Sequence, residues 1–316
     1  MFVIGATGTI GRSTVAALVS AGHEVVCFVR RHGRAESAVP PVQYRIGDVT
    51  DAASICRDGF AGERFDAVVS CMASRTGTPR DAWAIDHRAH SLVLAAAKEA
   101  GVGQMVLLSA ICVQKPTLAF QQSKLAFEAE LMASGLTWSI VRPTAFFKSL
   151  SGQLDRVRKG KPFLVFGDGR LTACKPMSDR DLAEFIASCL TDASRQNCIL
   201  PIGGPGDALT PLQQGALLFA AIGRPPRYTH VPLRLLDALI GVLTALGRVV
   251  PPLADKAQLA RIGRYYATES MLVWDATRQR YDADATPSFG RDTLAEHYAT
   301  LVRGDAENER GEHAVF

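Results

Sequence analysis

Gly5-Ala6-Thr7-Gly8-Thr9-Ile10-Gly11 separates a short apolar run, Phe2–Ile4, from an amphipathic stretch, Ile10–Ala21, that ends at Gly22. Read as strand, turn and helix, the spacing Gly-x-x-Gly-x-x-Gly has a physical meaning. Gly5 and Gly8 let the backbone turn tightly and approach a pyrophosphate without a Cβ in the way, and Gly11 lets the helix lie close to the strand. Free N–H groups at the helix start, with Thr7, Thr9 and Ile10 alongside, then face the phosphates. A glycine triplet alone says little. At a strand-to-helix junction it predicts a dinucleotide-binding fold.

The pattern that follows supports this. Glu24–Val29, Val42–Ile46, Asp66–Cys71, Gln104–Ser109 and Thr137–Arg142 read as further strands, with helices over Asp81–Ala100 and Gln122–Ser134. Strands alternating with helices pair in parallel through right-handed crossovers and carry helices on both faces. The expected fold class is therefore α/β, a doubly wound parallel Rossmann-type sheet with a smaller, mostly helical C-terminal portion for substrate. Its organisation is expected as a cofactor-binding core over 1–150, a substrate portion over 151–302 interleaved with the last core strands, and a mobile charged tail over 303–316. In the second half Asp179–Thr191 and Thr210–Gly223 read as helices, Lys161–Gly169 as loop and short strand, and Pro201–Gly206 as a glycine-rich turn. Gly263–Pro287 is dense in polar and aromatic groups.

Composition sets outer limits. The 316 residues are 47% apolar and 21% charged, with a net charge of +4, which suits a globular chain with a large core. That charge is too mild, and too unclustered, for nucleic acid. Seven scattered cysteines without Cys-x-x-Cys spacing read as reduced thiols of a cytoplasmic protein. No signal peptide is visible, and only four residues precede Gly5, against a usual strand of about 5–6, so the start is expected a little upstream. Leu233–Val250 is the most apolar stretch, but Arg234, Asp237 and Arg248 interrupt it. It reads as a buried or substrate-covering helix, with peripheral membrane contact as the alternative. The sequence does not specify an oligomeric state.

Candidate site residues follow strand by strand. Arg30 and Arg31 end the second strand, 19 and 20 residues after Gly11; an arginine there suits the 2′-phosphate of NADPH where an acid would suit NAD. Asp48 and Val49 end the third, where Asp48 either receives the adenine amino group or caps the next segment. After the fourth, Cys71, Ala73 and Ser74 leave room for the nicotinamide ribose. Ser109 ends the fifth and Lys124 lies on the following helix, both expected at the nicotinamide edge. Lys124 can hold ribose hydroxyls, lower the pKa of a neighbouring acid or relay a proton. After the sixth, the backbone of Pro143, Ala145 and Phe146 is placed to fix the carboxamide, and Phe146 and Phe147 suit a flat apolar substrate or the core. Tyr265 and Tyr266 suit a large aromatic ligand or an interface. His87 and His90, one turn apart with no third ligand, read as an exposed helix face and not a metal site.

Gly5–Gly11, Ser109, Lys124 and Arg142-Pro143 together resemble the atypical and extended short-chain dehydrogenase/reductase superfamily. Longer runs resemble, within it, the divinyl chlorophyllide a 8-vinyl-reductase family: Ser70–Gly77, Leu108–Pro116, Ile140–Leu150, Phe166–Gly169, Leu200–Gly206 and Gly263–Asp275. The resemblance implies NADPH-dependent reduction of the 8-vinyl group of a Mg-containing chlorophyllide or protochlorophyllide in (bacterio)chlorophyll synthesis. It implies Lys124 and Ser109 as catalytic residues, and Phe120, Phe146, Phe147, Tyr265 and Tyr266 as substrate contacts. Phe120 stands four residues before Lys124, where a short-chain dehydrogenase would carry its tyrosine. A phenyl ring cannot protonate a carbonyl oxygen, so either the chain reduces something that is not a carbonyl or it does no chemistry; the resemblance implies reduction of a conjugated C=C bond. The alternatives are a reductase of another flat aromatic, as among isoflavone reductase-like relatives, or a non-catalytic NADPH sensor or assembly factor.

Overall fold

The computed structural model describes residues 1–30 and 42–304. Arg31 lies outside the described residues. The chain divides into two compact units. The first comprises Met1–Arg75, Pro79–Pro143 and Asp179–Pro201; the second comprises Thr76–Thr78, Thr144–Ser178 and the chain from Ile202 onward.

The first unit is built on β1 (Phe2–Ile4), β2 (Val26–Val29), β3 (Gln43–Ile46), β4 (Ala67–Ser70), β5 (Gln104–Leu108) and β6 (Thr137–Pro143), with β7 (Phe163–Phe166) set apart and β8 (Cys198–Ile202) joining last. The seven-stranded order is β3-β2-β1-β4-β5-β6-β8. The β1–β2, β1–β4, β2–β3, β4–β5 and β5–β6 pairs are parallel. Every residue of β1, β2 and β4 is buried, as expected of strands covered on both faces. Strand order reverses between β1 and β4, and a doubly wound sheet binds its ligand at that switch point, beyond the carboxyl ends. Phe2 anchors the core there: its ring lies 4.4 Å from Phe60, 5.3 Å from Phe65 and 5.8 Å from Phe28.

Helices α1 (Thr9–Ser20), α2 (His90–Glu99), α3 (Ala119–Met132) and α4 (Asp179–Ser188) belong to this unit, and α4 packs on α1. The expected single helix over Asp81–Ala100 is composite. A short turn, Pro79–Ala82, leads into a wider π-helical segment, Trp83–Ala89, before α2 begins. Such i→i+5 turns recur at functional sites. Helix α3 starts three residues before the expected Gln122. The buried Gln121 carboxamide explains it: its oxygen accepts from the N–H groups of Thr117 (2.8 Å) and Leu118 (2.9 Å), and its nitrogen donates to the Cys112 carbonyl (3.0 Å).

The second unit has its own core, formed by Phe147, Leu154, Phe163, Leu218, Tyr298 and neighbours. Strand β7 pairs in parallel with β9 (Tyr228–Val231), and β10 (Val273–Asp275) with β11 (Arg280–Asp282) as a hairpin. Helices α5 (Pro211–Ile222), α6 (Leu233–Gly247), α7 (Pro251–Thr268) and α8 (Leu294–Arg303) complete it. Thr210 and Thr293 cap α5 and α8, each reciprocated by the residue three positions on, Gln213 and Glu296. One expectation needs correction: Leu233–Val250 is not a buried helix, since no residue of α6 is buried. The polar and aromatic stretch Gly263–Pro287 begins in the last turn and a half of α7 and continues through the β10–β11 hairpin.

Candidate active site and cofactor cradle

The loop from β1 to α1 has the stereochemistry that its glycines require. Gly5 sits at φ +75°, and a Cβ there would lie 2.4 Å from the Met72 nitrogen. A Cβ on Gly11 would lie 2.0 Å from the Gly5 carbonyl oxygen, so these two positions hold the loop against the β4 loop and against itself. Gly8 differs: the nearest atom to its Cβ would be 3.5 Å away, which leaves it free within the protein and open towards a ligand. Helix α1 begins at this glycine with no side-chain cap and no acidic residue in its first turn. Its first N–H groups therefore keep their full affinity for an anion. The residues fit a dinucleotide pyrophosphate.

At the adenine end, Arg30 is exposed and lines a cavity of about 420 Å³ with Gly47, Asp48 and Arg57. The Asp48 carboxylate accepts through Oδ1 from the hydroxyl (2.7 Å) and the N–H (2.8 Å) of Thr50, while the cap of the next helix is Asp51. Those two bonds hold its pKa below the usual carboxylate range. Val49 packs against the main core.

Beyond β4, three bonds pin the loop that must pass the ribose. The Ser70 hydroxyl meets His90 Nε2 at 2.7 Å, Cys71 Sγ donates to Thr14 Oγ1 at 3.4 Å, and the Ser74 N–H donates to Asp86 Oδ1 at 3.0 Å. Burial pushes the Cys71 thiol up to about 11, so it remains neutral and unreactive. Ala73 between them is exposed.

The centre of the site is an ion pair. Lys124 Nζ lies 2.9 Å from Asp86 Oδ1, with the Asp86 side chain wholly buried and that of Lys124 12% exposed. Burial works against the Asp86 carboxylate, but the Lys124 charge and the bonds from Ser74 and Lys124 outweigh it and hold its pKa below the usual range. Its second oxygen, Oδ2, has no hydrogen-bond partner among the described residues. A buried carboxylate oxygen without a donor is costly, and a buried, perturbed acid beside a charged partner makes this pair a candidate functional site. Asp86 belongs to the π-helical segment. Nothing in the sequence singled it out, because a lone acid 38 residues before Lys124 inside a helical pattern carries no motif.

Phe120 is buried one turn before Lys124 on α3. Ser109, expected beside Lys124, is engaged elsewhere: its hydroxyl donates to Glu128 Oε1 at 2.5 Å. Glu128, also buried, accepts from Arg142 through Nε at 3.2 Å and through Nη2. This trio ties the ends of β5 and β6 to α3. It acts on the site by fixing Lys124's helix, and the Ser109 proton is already committed.

In the second unit, the Phe146 and Met177 backbones bridge, and Phe146 is half-buried. Phe147 packs in that unit's core, its ring 5.2 Å from His297. Tyr265 is buried and Tyr266 half-buried on α7, their rings edge to face at 5.7 Å. Pro143 closes β6 and Ala145 is half-buried.

His87 and His90 part company. His87 is half-buried and meets Glu130 Oε1 at 2.6 Å. His90 corrects the expectation of an exposed face, being 1% exposed. Its Nδ1 lies 2.8 Å from the Ile85 carbonyl, which only accepts, so Nδ1 carries the proton and Nε2 accepts from Ser70. No metal-binding cluster occurs among the described residues. Burial, then the charge of Lys124, lowers the His90 pKa to about 4. A folded pKa below the unfolded value near 6.5 means stability is fully present above that value and lost as pH falls towards 4, by about 3 kcal/mol. Melting curves between neutral pH and pH 4 should therefore fall more steeply for the native protein than for His90→Gln. Parallel curves would show that His90 does not titrate in this window.

The NAD(P)H-binding family model matches residues 5–193. The chain is 48% identical over 331 aligned positions to the chloroplastic divinyl chlorophyllide a 8-vinyl-reductase of Oryza sativa subsp. indica, covering all of this chain and 82% of that one. It is 46% identical to the Arabidopsis thaliana protein of the same name, over 99% and 79% of the two chains. In fold it is similar to an NADPH-dependent quinone oxidoreductase of Escherichia coli solved with NADPH, with a TM-score of 0.66 at 20% identity over 95% of this chain and 99% of that one.

Proposed function

The chain belongs to the divinyl chlorophyllide a 8-vinyl-reductase family, and on that premise we propose that it reduces the 8-vinyl group of a divinyl chlorophyllide to ethyl with NADPH. It is an oxidoreductase of a CH–CH group. The observation that carries the reading is the buried Lys124–Asp86 pair one turn from Phe120.

Bound NADPH supplies the hydride. The Gly5–Gly11 loop and the α1 N-terminus hold the pyrophosphate, and Arg30 accommodates the 2′-phosphate. Hydride addition to a vinyl carbon spreads negative charge over the macrocycle, so no oxyanion forms and no phenol is needed at position 120. A proton must still reach carbon. Lys124 is the donor or relay, and Asp86 is the positioning residue that directs its ammonium group. Phe120, one turn before Lys124 on α3, provides apolar surface for the substrate. Peripheral membrane contact is a separate proposal, carried by α6 alone.

The test is purified protein with NADPH and divinyl chlorophyllide a, followed by absorbance and mass. A gain of two hydrogens with a Soret band shifted to the blue, dependent on NADPH, is expected. NADPH binding without change in the pigment would favour another flat aromatic substrate or a sensor and would overturn the assignment.

A further inference from the structure

Helix α6 presents an apolar stripe that no other part of the described chain covers. Leu235, Leu239, Val242 and Leu246 are 61, 49, 56 and 51% exposed, and Val249, just past the helix, is 83% exposed. Their spacing of four, three, four and three residues puts them in one row along the helix. The opposite face is occupied by α7: Gly247 lies against Ala254, and Arg261 donates to Thr244 Oγ1 at 3.0 Å. A row of large apolar side chains this open on a globular chain marks a contact surface.

Charge decides what the surface contacts. Arg234 and Arg248, both exposed, flank the row at its two ends. The one acidic residue of α6, Asp237, is neutralised by Arg264 of α7. Residues 233–268 carry five basic and two acidic side chains, a net +3 out of the chain's +4. A second copy is a poor occupant. Packing two such rows antiparallel sets Arg234 against Arg248, and packing them parallel sets each arginine against itself, so like charges meet either way. Fifteen residues rise about 22 Å, too short to cross a bilayer, and no described helix is long and apolar enough to do so.

We infer that α6 is an interfacial helix that lays Leu235, Leu239, Val242, Leu246 and Val249 into an anionic lipid surface, with Arg234 and Arg248 at the headgroups. The inference stands apart from the pigment chemistry, so failure of the reductase assay would leave it intact.

The test is flotation of the full-length protein with vesicles of phosphatidylcholine alone or mixed with phosphatidylglycerol. Binding to the mixed vesicles, weakened by salt, is expected. Leu239→Asp/Val242→Asp should lower it about tenfold while melting temperature and NADPH affinity stay unchanged, and Arg234→Glu/Arg248→Glu should remove the preference for the anionic lipid. No vesicle binding by the native protein, or binding that survives both double variants, would overturn it. So would a native dimer that Leu239→Asp/Val242→Asp converts to monomer, or a raised pigment KM in that variant with vesicle binding intact.

Discussion

Lys124→Ala is expected to slow vinyl reduction by roughly 10²–10⁴-fold, the usual contribution of a positioned proton donor, and to change how stability depends on pH. The two effects have one origin. Asp86 is wholly buried and its only ion-pair partner among the described residues is Lys124. Removing one member of a buried pair costs about 3–5 kcal/mol, because the other charge is left uncompensated. In the native protein the Asp86 pKa is held low, so its contribution is present above the unfolded value near 4 and lost as pH falls. In Lys124→Ala only the bonds from Ser74 oppose burial, the largest single influence on Asp86, and the folded pKa rises above the unfolded one. The contribution is then present at low pH and lost as pH rises. The variant should melt higher at pH 5 than at neutral pH, opposite in slope to the native protein. Asp86→Asn separates the roles: it leaves Lys124 in place without its counter-charge, so kcat and its pH profile change while the KM for NADPH moves little. Single-turnover kinetics and melting curves on both variants and the double variant give the coupling. Full activity in Lys124→Ala, with NADPH affinity intact, would remove Lys124 from the mechanism.

The second large effect concerns two glycines that look alike in the sequence. Gly11→Ala is expected to prevent stable folding, since its Cβ would meet the Gly5 oxygen at 2.0 Å. The oxygen belongs to backbone and the backbone fixes where the Cβ sits, so neither can move aside as the end of a side chain would, and the cost exceeds the roughly 1–3 kcal/mol typical of overpacking. Gly8→Ala has ordinary contact distance within the protein. It should fold with a nearly native melting temperature yet bind NADPH at least about tenfold more weakly, because its methyl group enters the space of the pyrophosphate. Thermal melts and NADPH titration of the two variants decide the matter. Equal behaviour would show that the loop relaxes and that the close approach is not selective.

The strands and the glycine loop were legible because each obeys a local rule: short continuous apolar runs for strands covered on both faces, and a turn that only glycine can make. Lys124 was legible from its place on the helix after β5. Its partner was not. Asp86 faces Lys124 from a π-helical segment, and hydrophobic periodicity does not distinguish one wider turn within a long helix. Ser109 was placed correctly in the chain, but its commitment to Glu128 is a contact across 19 residues that spacing does not encode. His90 and α6 were misread in opposite directions. One is polar yet buried because two hydrogen bonds satisfy it, and the other is apolar yet exposed. Sequence pattern gives a face, and only packing tells what the face meets.

The first unit is not continuous along the chain. It is interrupted after Pro143 and completed only by Asp179–Pro201, the segment that supplies α4 against α1 and strand β8 beside β6. During synthesis the nascent sheet therefore leaves the ribosome with an open edge at β6 and a bare apolar side on α1. Fifty-eight residues separate Pro143 from Pro201, roughly 3 to 12 seconds of elongation. For that interval the unpaired β6 edge is a template for any neighbouring extended chain, and most of the glycine-loop cradle exists before the unit that holds it can close.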